Sequence, residues 1–251
     1  TVETRKRPGR ARLATRLLSV FLTWCSEHSI YQDIVKSNPT RNKSFREVLG
    51  KPQQKNDVVQ REQLSAWFEA VRGLSSPIVS AYLQVLLLMG ARPNELISIR
   101  WNDVDFQWKS ISIKDKMDGM RVIPLPPYVS YLLSKLPRRN EYVFSSLDSV
   151  SGHLKDPHSA NYRVCAAIGF DVTLHGLRRS FATLSEWIEM PSGIAAQIQG
   201  HKPSGVRERH YIHRSLDLLR VWHIKFEEWI LEQAGIEFTP NNIVLRAITA
   251  T

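Results

Sequence analysis

Four separated stretches of the chain carry side chains suited to phosphate chemistry. In "RERHYIHRS" Tyr211 stands between His210 and His213, with Arg207, Arg209 and Arg214 close by. A tyrosine used only for packing buries its ring and needs one partner for its hydroxyl. A tyrosine that attacks a phosphate needs cations around it, and this one has them. "GARPNEL" places Arg92 after a glycine with Glu95 three residues on, and "KDKMDGMRVIPLP" offers Lys114 and Lys116. "LHGLRRSFATL" puts His175 and Arg178 one helical turn apart, hence on one face. "QGHKPSGVRERHYIH" sets His201 ahead of Tyr211.

Taken singly, each group has a plain structural reading. Arg92 can pair with Glu95 on a helix surface, Lys116 can be a solvated turn residue, His175 can serve a helix N-terminus, and Tyr211 can be packing. Together they fit phosphoryl transfer, which needs cations on the non-bridging oxygens, an acid for the leaving oxygen and a positioned attacker. Arginines offer bidentate forks, histidines donate or move protons, lysine protonates a leaving hydroxyl, and tyrosine supplies the attacking oxygen. No cysteine or acidic residue stands at ligand spacing from His201, His210 and His213, so the expectation is a metal-free mechanism without a cofactor.

The elements that must position these groups are mostly helices. Apolar residues at helical spacing predict a helix over 11–28, with Leu13, Leu17, Val20, Phe21 and Trp24 on its stripe. Residues 36–57 are polar, contain Pro39 and Pro52, and read as an extended linker. Further helices are predicted from "QREQLSAWFEAVRG", "PIVSAYLQVLLLMGA", "PNELISIRW", residues 128–137, "HSANYRVCAAIG", "LHGLRRSFATLSEWIE", "SGIAAQIQG" and "SLDLLRVWHIKFEEWILEQAG". "FQWKSISIKD" and "MRVIPLP" alternate apolar and polar around "KMDG", which predicts an antiparallel hairpin. "YVFSS" reads as a short strand or loop. The fold class expected is mainly α with a small antiparallel sheet.

The 251 residues carry a net charge of +10 and a pI near 9.8, a balance that points to a polyanionic partner, nucleic acid first. Residues 1–56 hold 12 Lys+Arg against 4 Asp+Glu, while the rest is almost neutral. No apolar run reaches the ~18 residues of a membrane helix. Cys25 and Cys165 lie far apart without metal or redox spacing and read as buried free thiols. One helix and a linker cannot bury a core, so the basic front piece is expected to be the end of a domain that begins outside this chain.

The four stretches, in this order, resemble the tyrosine recombinase (phage integrase) family. "GARPNELISIRWNDVD" looks like its first arginine block, with Arg92 and the supporting Glu95. "KDKMDGMRVIPLP" looks like its hairpin lysine block, with Lys116 as the match and Lys114 second. "LHGLRRSFAT" looks like its His-x-x-Arg block, with His175 and Arg178, and "GHKPSGVRERHYIH" like its last block, with His201 and the nucleophile Tyr211. The interval from His201 to Tyr211 is ten residues, a length that resembles integrases of satellite phages and genomic islands.

The resemblance implies a tyrosine recombinase catalytic-domain fold over 58–251, a remnant of a helical core-binding domain over 1–36 and a linker over 37–57. It implies attack by Tyr211 on a scissile phosphodiester, giving a 3′-phosphotyrosine and a free 5′-hydroxyl. Arg92, Arg178 and His201 hold the phosphate, His175 moves a proton at the tyrosine, and Lys116 protonates the leaving 5′-oxygen. Arg5, Lys6, Arg7, Arg179 and Lys202 are further candidates for contact with DNA. The partners implied are double-stranded attachment sites, a homotetramer on DNA formed from free monomers, and DNA-bending accessory proteins, in a bacterial cytoplasm at the nucleoid. The apolar face of the last helix, with Leu216, Leu219, Trp222, Phe226, Trp229 and Ile230, is expected to dock on a neighbouring protomer. Two rival readings stay open on these residues: a type IB topoisomerase acting on one site, and a DNA-binding relative that has lost catalysis.

Overall fold

The computed structural model describes residues 6–50, 55–115, 119–201 and 214–240. The chain divides into two compact units, Thr1–Lys55 and Asn56–Thr251. In the first unit, helix α1 (Pro8–Glu27) starts at Pro8 rather than Ala11, since a proline fits the first helical turn. Its stripe lies open: Leu17 is 63 % exposed, Phe21 57 % and Trp24 49 %, and only Cys25 of this helix is buried.

The segment expected to be an extended linker is partly folded. A 3₁₀ turn (Pro39–Arg41) and helix α2 (Lys43–Leu49) occupy it. Asn38 explains the difference. Its side-chain oxygen accepts from Thr40 N at 3.1 Å and Thr40 Oγ1 at 2.6 Å, and its Nδ2 donates to Ser19 O at 2.8 Å and Thr23 Oγ1 at 2.9 Å on α1. An Asn-Pro pair breaks one helix and caps the next, so Pro39 marks a start here.

The second unit is built around helix α4 (Pro77–Met89), preceded by α3 (Leu64–Arg72). Tyr82, Leu83 and Val85 through Met89 have no exposed surface, as expected of a helix apolar on all sides. Short helix α5 (Pro93–Ile97) follows, then strands β1 (Val104–Asp105), β2 (Ser110–Asp115) and β3 (Gly119–Pro124). The hairpin forms as read, with Ile111 opposite Ile123 and Lys114 opposite Met120. β1 adds an antiparallel edge that the sequence pattern concealed, because two residues show no periodicity. Residues 142–146 form a loop with isolated bridges, Arg100 to Tyr142 and Ser145 to His153.

Helices α6 (Pro127–Ser134), α7 (His158–Ile168), α8 (Leu174–Ser185), α9 (Ser192–Gln199) and α10 (Leu216–Gln233) complete the unit. α10 corrects one expectation. Leu219, Phe226 and Ile230 pack into this chain's own core, with Trp222 and Trp229 against it, so that face is already covered. Two buried polar groups lock α10 in place. His223 Nε2 donates to Leu88 O at 2.9 Å, and burial pushes its pKa down to about 4. Glu227 accepts from Tyr128 N at 2.7 Å and Val129 N at 3.0 Å, at the start of α6. Burial raises its pKa to about 7 against the pull of those two donors. Cys25 and Cys165 are both free and buried. No helix among the described residues is long and apolar enough to cross a membrane.

Candidate active site

The ends of α4, α8 and α9 meet at one place. α4 stops at Gly90, whose φ of +57° only glycine adopts without strain, and a Cβ there would lie 2.6 Å from Phe181 Cγ on α8. The glycine thus lets the two helices close up. Its carbonyl accepts from Arg178 Nη1 at 2.8 Å. The same nitrogen donates to Gln199 O at 2.8 Å, and Gln199 Nε2 returns a bond to Arg178 O at 2.8 Å. Arg178 is only 8 % exposed, so its charge sits among carbonyl dipoles fixed by the ends of two other helices.

Arg178 Nη2 lies 2.8 Å from His201 Nε2. An arginine is always protonated and can only donate, so His201 accepts at Nε2 and carries its proton on Nδ1. Loss of water around the ring, then the charges of Arg178, Arg92 and Arg121, hold its pKa below the ordinary histidine value. The imidazole is therefore neutral at pH 7.

Arg92 precedes α5. Its Nη1 pairs with Glu95 Oε1 at 2.5 Å and its Nη2 donates to Gly200 O at 3.2 Å. Glu95 Oε2 accepts from Arg121 Nη2 at 2.7 Å, so one carboxylate, 10 % exposed at its side chain, holds two guanidiniums. The pairing of Arg92 with Glu95 expected as the plain reading is thus present, and it is also part of the cluster.

Arg121 is the member that sequence reading missed. The "MRVIPLP" pattern reads as a strand, and within it the signal is the alternation. Successive side chains on a strand alternate, so Arg121 shares the inward face of Ile123. An arginine on an inward face requires a carboxylate, and Glu95 supplies it.

Gly200 ends α9 at φ +73°, where a Cβ would lie 2.7 Å from Arg121 Cζ. Gly169 ends α7 at the same φ with nothing within 4 Å. Alanine at either position strains the backbone by about 1 kcal/mol. Only Gly200→Ala also pushes on the Arg121 guanidinium. Thermal unfolding is expected to show Gly169→Ala lower by about 2–4 °C and Gly200→Ala lower by at least twice that. Equal losses would mean that Arg121 yields freely.

His175 is exposed in the first turn of α8, one turn before Arg178. Arg179, next to Arg178 on α8, pairs with Asp57. Lys6 and Arg7 are exposed in the first unit, and Lys114 is exposed on β2. Tyr211, Lys116, Lys202 and Arg5 lie outside the described residues. Among the described residues no three His, Cys, Asp or Glu side chains converge as metal ligands would.

Three guanidiniums and one neutral imidazole, with a single carboxylate among them, form a cluster of net positive charge whose donors suit a tetrahedral oxyanion. The sequence profile of the phage integrase family matches residues 57–216, and that of the phage integrase core-binding domain matches residues 1–47. Prophage integrase IntF of Escherichia coli K12 is 48 % identical over 255 residues, covering 98 % of this chain and 54 % of that protein. The chain spans about half the length of the curated relatives it matches. The integrase of mycobacterium phage Brujita superposes with a TM-score of 0.53 at 19 % identity, over 95 % of this chain and 79 % of that one. The Tn1549 transposon integrase, solved with circular intermediate DNA, gives 0.62 at 16 % identity, over 88 % of this chain and 81 % of that one. At these identities the two structures establish a common fold.

Proposed function

The chain belongs to the phage integrase family, and from that membership we propose that it is a site-specific DNA recombinase. It cleaves and rejoins DNA through a 3′-phosphotyrosine and so integrates or excises a mobile element. The observation that carries this reading is the junction of Arg92, Arg178 and His201, drawn from three separate stretches and linked through Gly200 O and His201 Nε2.

In this reading Arg92 and Arg178 grip the non-bridging oxygens and His201 donates from Nδ1. Tyr211 Oη attacks phosphorus, its proton passes to His175, and the bond to the 5′-oxygen breaks as Lys116 delivers a proton to it. A 5′-hydroxyl from a partner duplex then reverses the steps. The ester keeps the bond energy, so neither ATP nor a metal is consumed. Arg121 and Glu95 act as positioning residues, tying the hairpin that carries Arg121 to the Arg92 block. Arg179 pairs with Asp57, and Lys6, Arg7, Arg5 and Lys202 are assigned to DNA phosphates. The substrate is a pair of double-stranded attachment sites at the bacterial nucleoid. Monomers assemble as a tetramer on them, with DNA-bending accessory proteins.

The role of Lys116 can be tested by changing the leaving group. An ordinary lysine has a pKa near ~10.4 and stays protonated beside a phosphate, yet donates as an oxyanion develops. Lys116→Ala is expected to cleave normal DNA about 10² to 10⁴ times more slowly. A strand with sulfur in place of the bridging 5′-oxygen expels a thiolate that needs no proton, and should restore most of that rate. Lys114→Ala, removing a side chain exposed on β2, should match wild type on both strands. Rescue of Lys114→Ala instead would shift the hairpin assignment by two residues, and rescue of neither would move the acid role to His175.

A further inference from the structure

We propose that Asp57 is a positioning residue of this active site, one that sets the first turn of α8 and so the placement of His175. The proposal rests on the reading of His175 and Arg178 as catalytic. Thr173 caps α8, its Oγ1 accepting from Gly176 N at 3.0 Å. The same hydroxyl donates its proton to Asp57 Oδ2 at 2.5 Å, and Thr173 N donates to that oxygen at 3.0 Å. Asp57 Oδ1 accepts from Arg179 Nη2. With its hydrogen committed to the carboxylate, the Thr173 oxygen has only lone pairs to offer Gly176, so Asp57 fixes the orientation of the cap.

The backbone around Asp57 is pressed against the same turn. A Cβ on Gly176 would lie 2.4 Å from Asp57 O and 2.8 Å from its Oδ2. Only glycine admits this approach, and it lies between His175 and Arg178 in the chain. A second stitch follows. Val59 N donates to Ser180 Oγ at 2.8 Å, and that hydroxyl donates to Gly176 O at 2.9 Å. Val59 has no exposed surface. Burial pushes the Asp57 carboxyl up, but the bonds from Thr173 and Arg179 outweigh it and hold the pKa below the usual aspartate value. The group is a carboxylate at neutral pH, as the three donors require.

The two catalytic candidates of α8 depend on this brace unequally. Arg178 is also held at its far end by Gly90 O and Gln199 O. His175 lies in the first turn itself, two residues from Thr173, so a shift of the cap moves its backbone directly. Asparagine at position 57 is a demanding replacement, since its NH₂ must face either Arg179 or the Thr173 donors.

The test uses the whole chain and a nicked suicide duplex carrying the junction sequence of the element that encodes it. Single-turnover cleavage separates a rate constant from an amplitude. Asp57→Asn is expected to lower the rate constant about 10- to 100-fold at full amplitude, the scale of a small misplacement of a reacting group. In the His175→Ala background the same change should add less than about threefold, and in the Arg178→Ala background its full effect, by the logic of a double-mutant cycle. Thr173→Val should mimic Asp57→Asn, and Thr173→Ser should restore the wild-type rate constant. A brace for stability alone would lower amplitude and melting temperature with an unchanged rate constant, or act equally in both backgrounds, and either result overturns the proposal. Hydrogen exchange by NMR gives a readout independent of catalysis. The Gly176 and Leu177 amides should lose protection in Asp57→Asn while the middle of α8 keeps it, and unchanged protection overturns the proposal. If wild type forms no covalent adduct at all, the recombinase reading fails while this exchange result still decides the role of Asp57.

Discussion

Tyr211→Phe is expected to bind attachment-site DNA within about twofold of wild type and to form no covalent adduct with it. The substitution deletes one oxygen and leaves the ring, so packing and charge are preserved. Covalent catalysis divides the reaction into two steps only if that oxygen is present. Arginine and histidine carry no hydroxyl, so a bond from their nitrogens to phosphorus would be a phosphoramidate and not the ester whose tyrosyl oxygen leaves on rejoining. Denaturing electrophoresis after incubation with a nicked suicide duplex reads the result. A shifted band from the phenylalanine variant would mean that another residue attacks.

Arg178→Ala should lower two properties at once, stability and cleavage. The guanidinium is buried and bonds Gly90 O, Gln199 O and His201 Nε2. Its removal leaves two buried carbonyls without these donors, at about 1–3 kcal/mol each. The melting temperature should fall accordingly. Cleavage should fall by at least about 10²- to 10³-fold, the span seen when one donor to a developing oxyanion is lost. Arg178→Lys keeps the charge but has no fork to span two carbonyls and an imidazole. It should stay at least about 10²-fold slow. A lysine variant with wild-type cleavage would reduce Arg178 to a counter-charge.

These groups stand out in the sequence for a physical reason. Arginine, histidine and tyrosine beside glycine stops and helix starts are costly where packing alone is wanted, so Arg92, His175, Arg178, His201 and Tyr211 stood out. α4 was legible because its apolar run is continuous, and the hairpin because its alternation is clean. What escaped notice depends on contacts across long separations or on residues with two meanings. Asp57 lies 116 residues from Thr173 and looked like the end of a polar linker. Arg121 is a strand residue whose pairing with Glu95, on another element, leaves no mark in the strand pattern. Asn38 and Pro39 signalled a break and formed a cap. The apolar face of α10 suited a neighbouring protomer as well as its own core, and packing chose the core.

The most direct test of the account is to identify the bond between protein and DNA. The chain would be incubated with the suicide duplex in the presence of EDTA, and the trapped adduct digested and sequenced by mass spectrometry. The account predicts a single adduct, a 3′-phosphate esterified to the Tyr211 hydroxyl, with a free 5′-hydroxyl on the other strand end and a yield unaffected by the chelator. An adduct at any other residue, attachment to a 5′ end, or loss of cleavage in EDTA would contradict it.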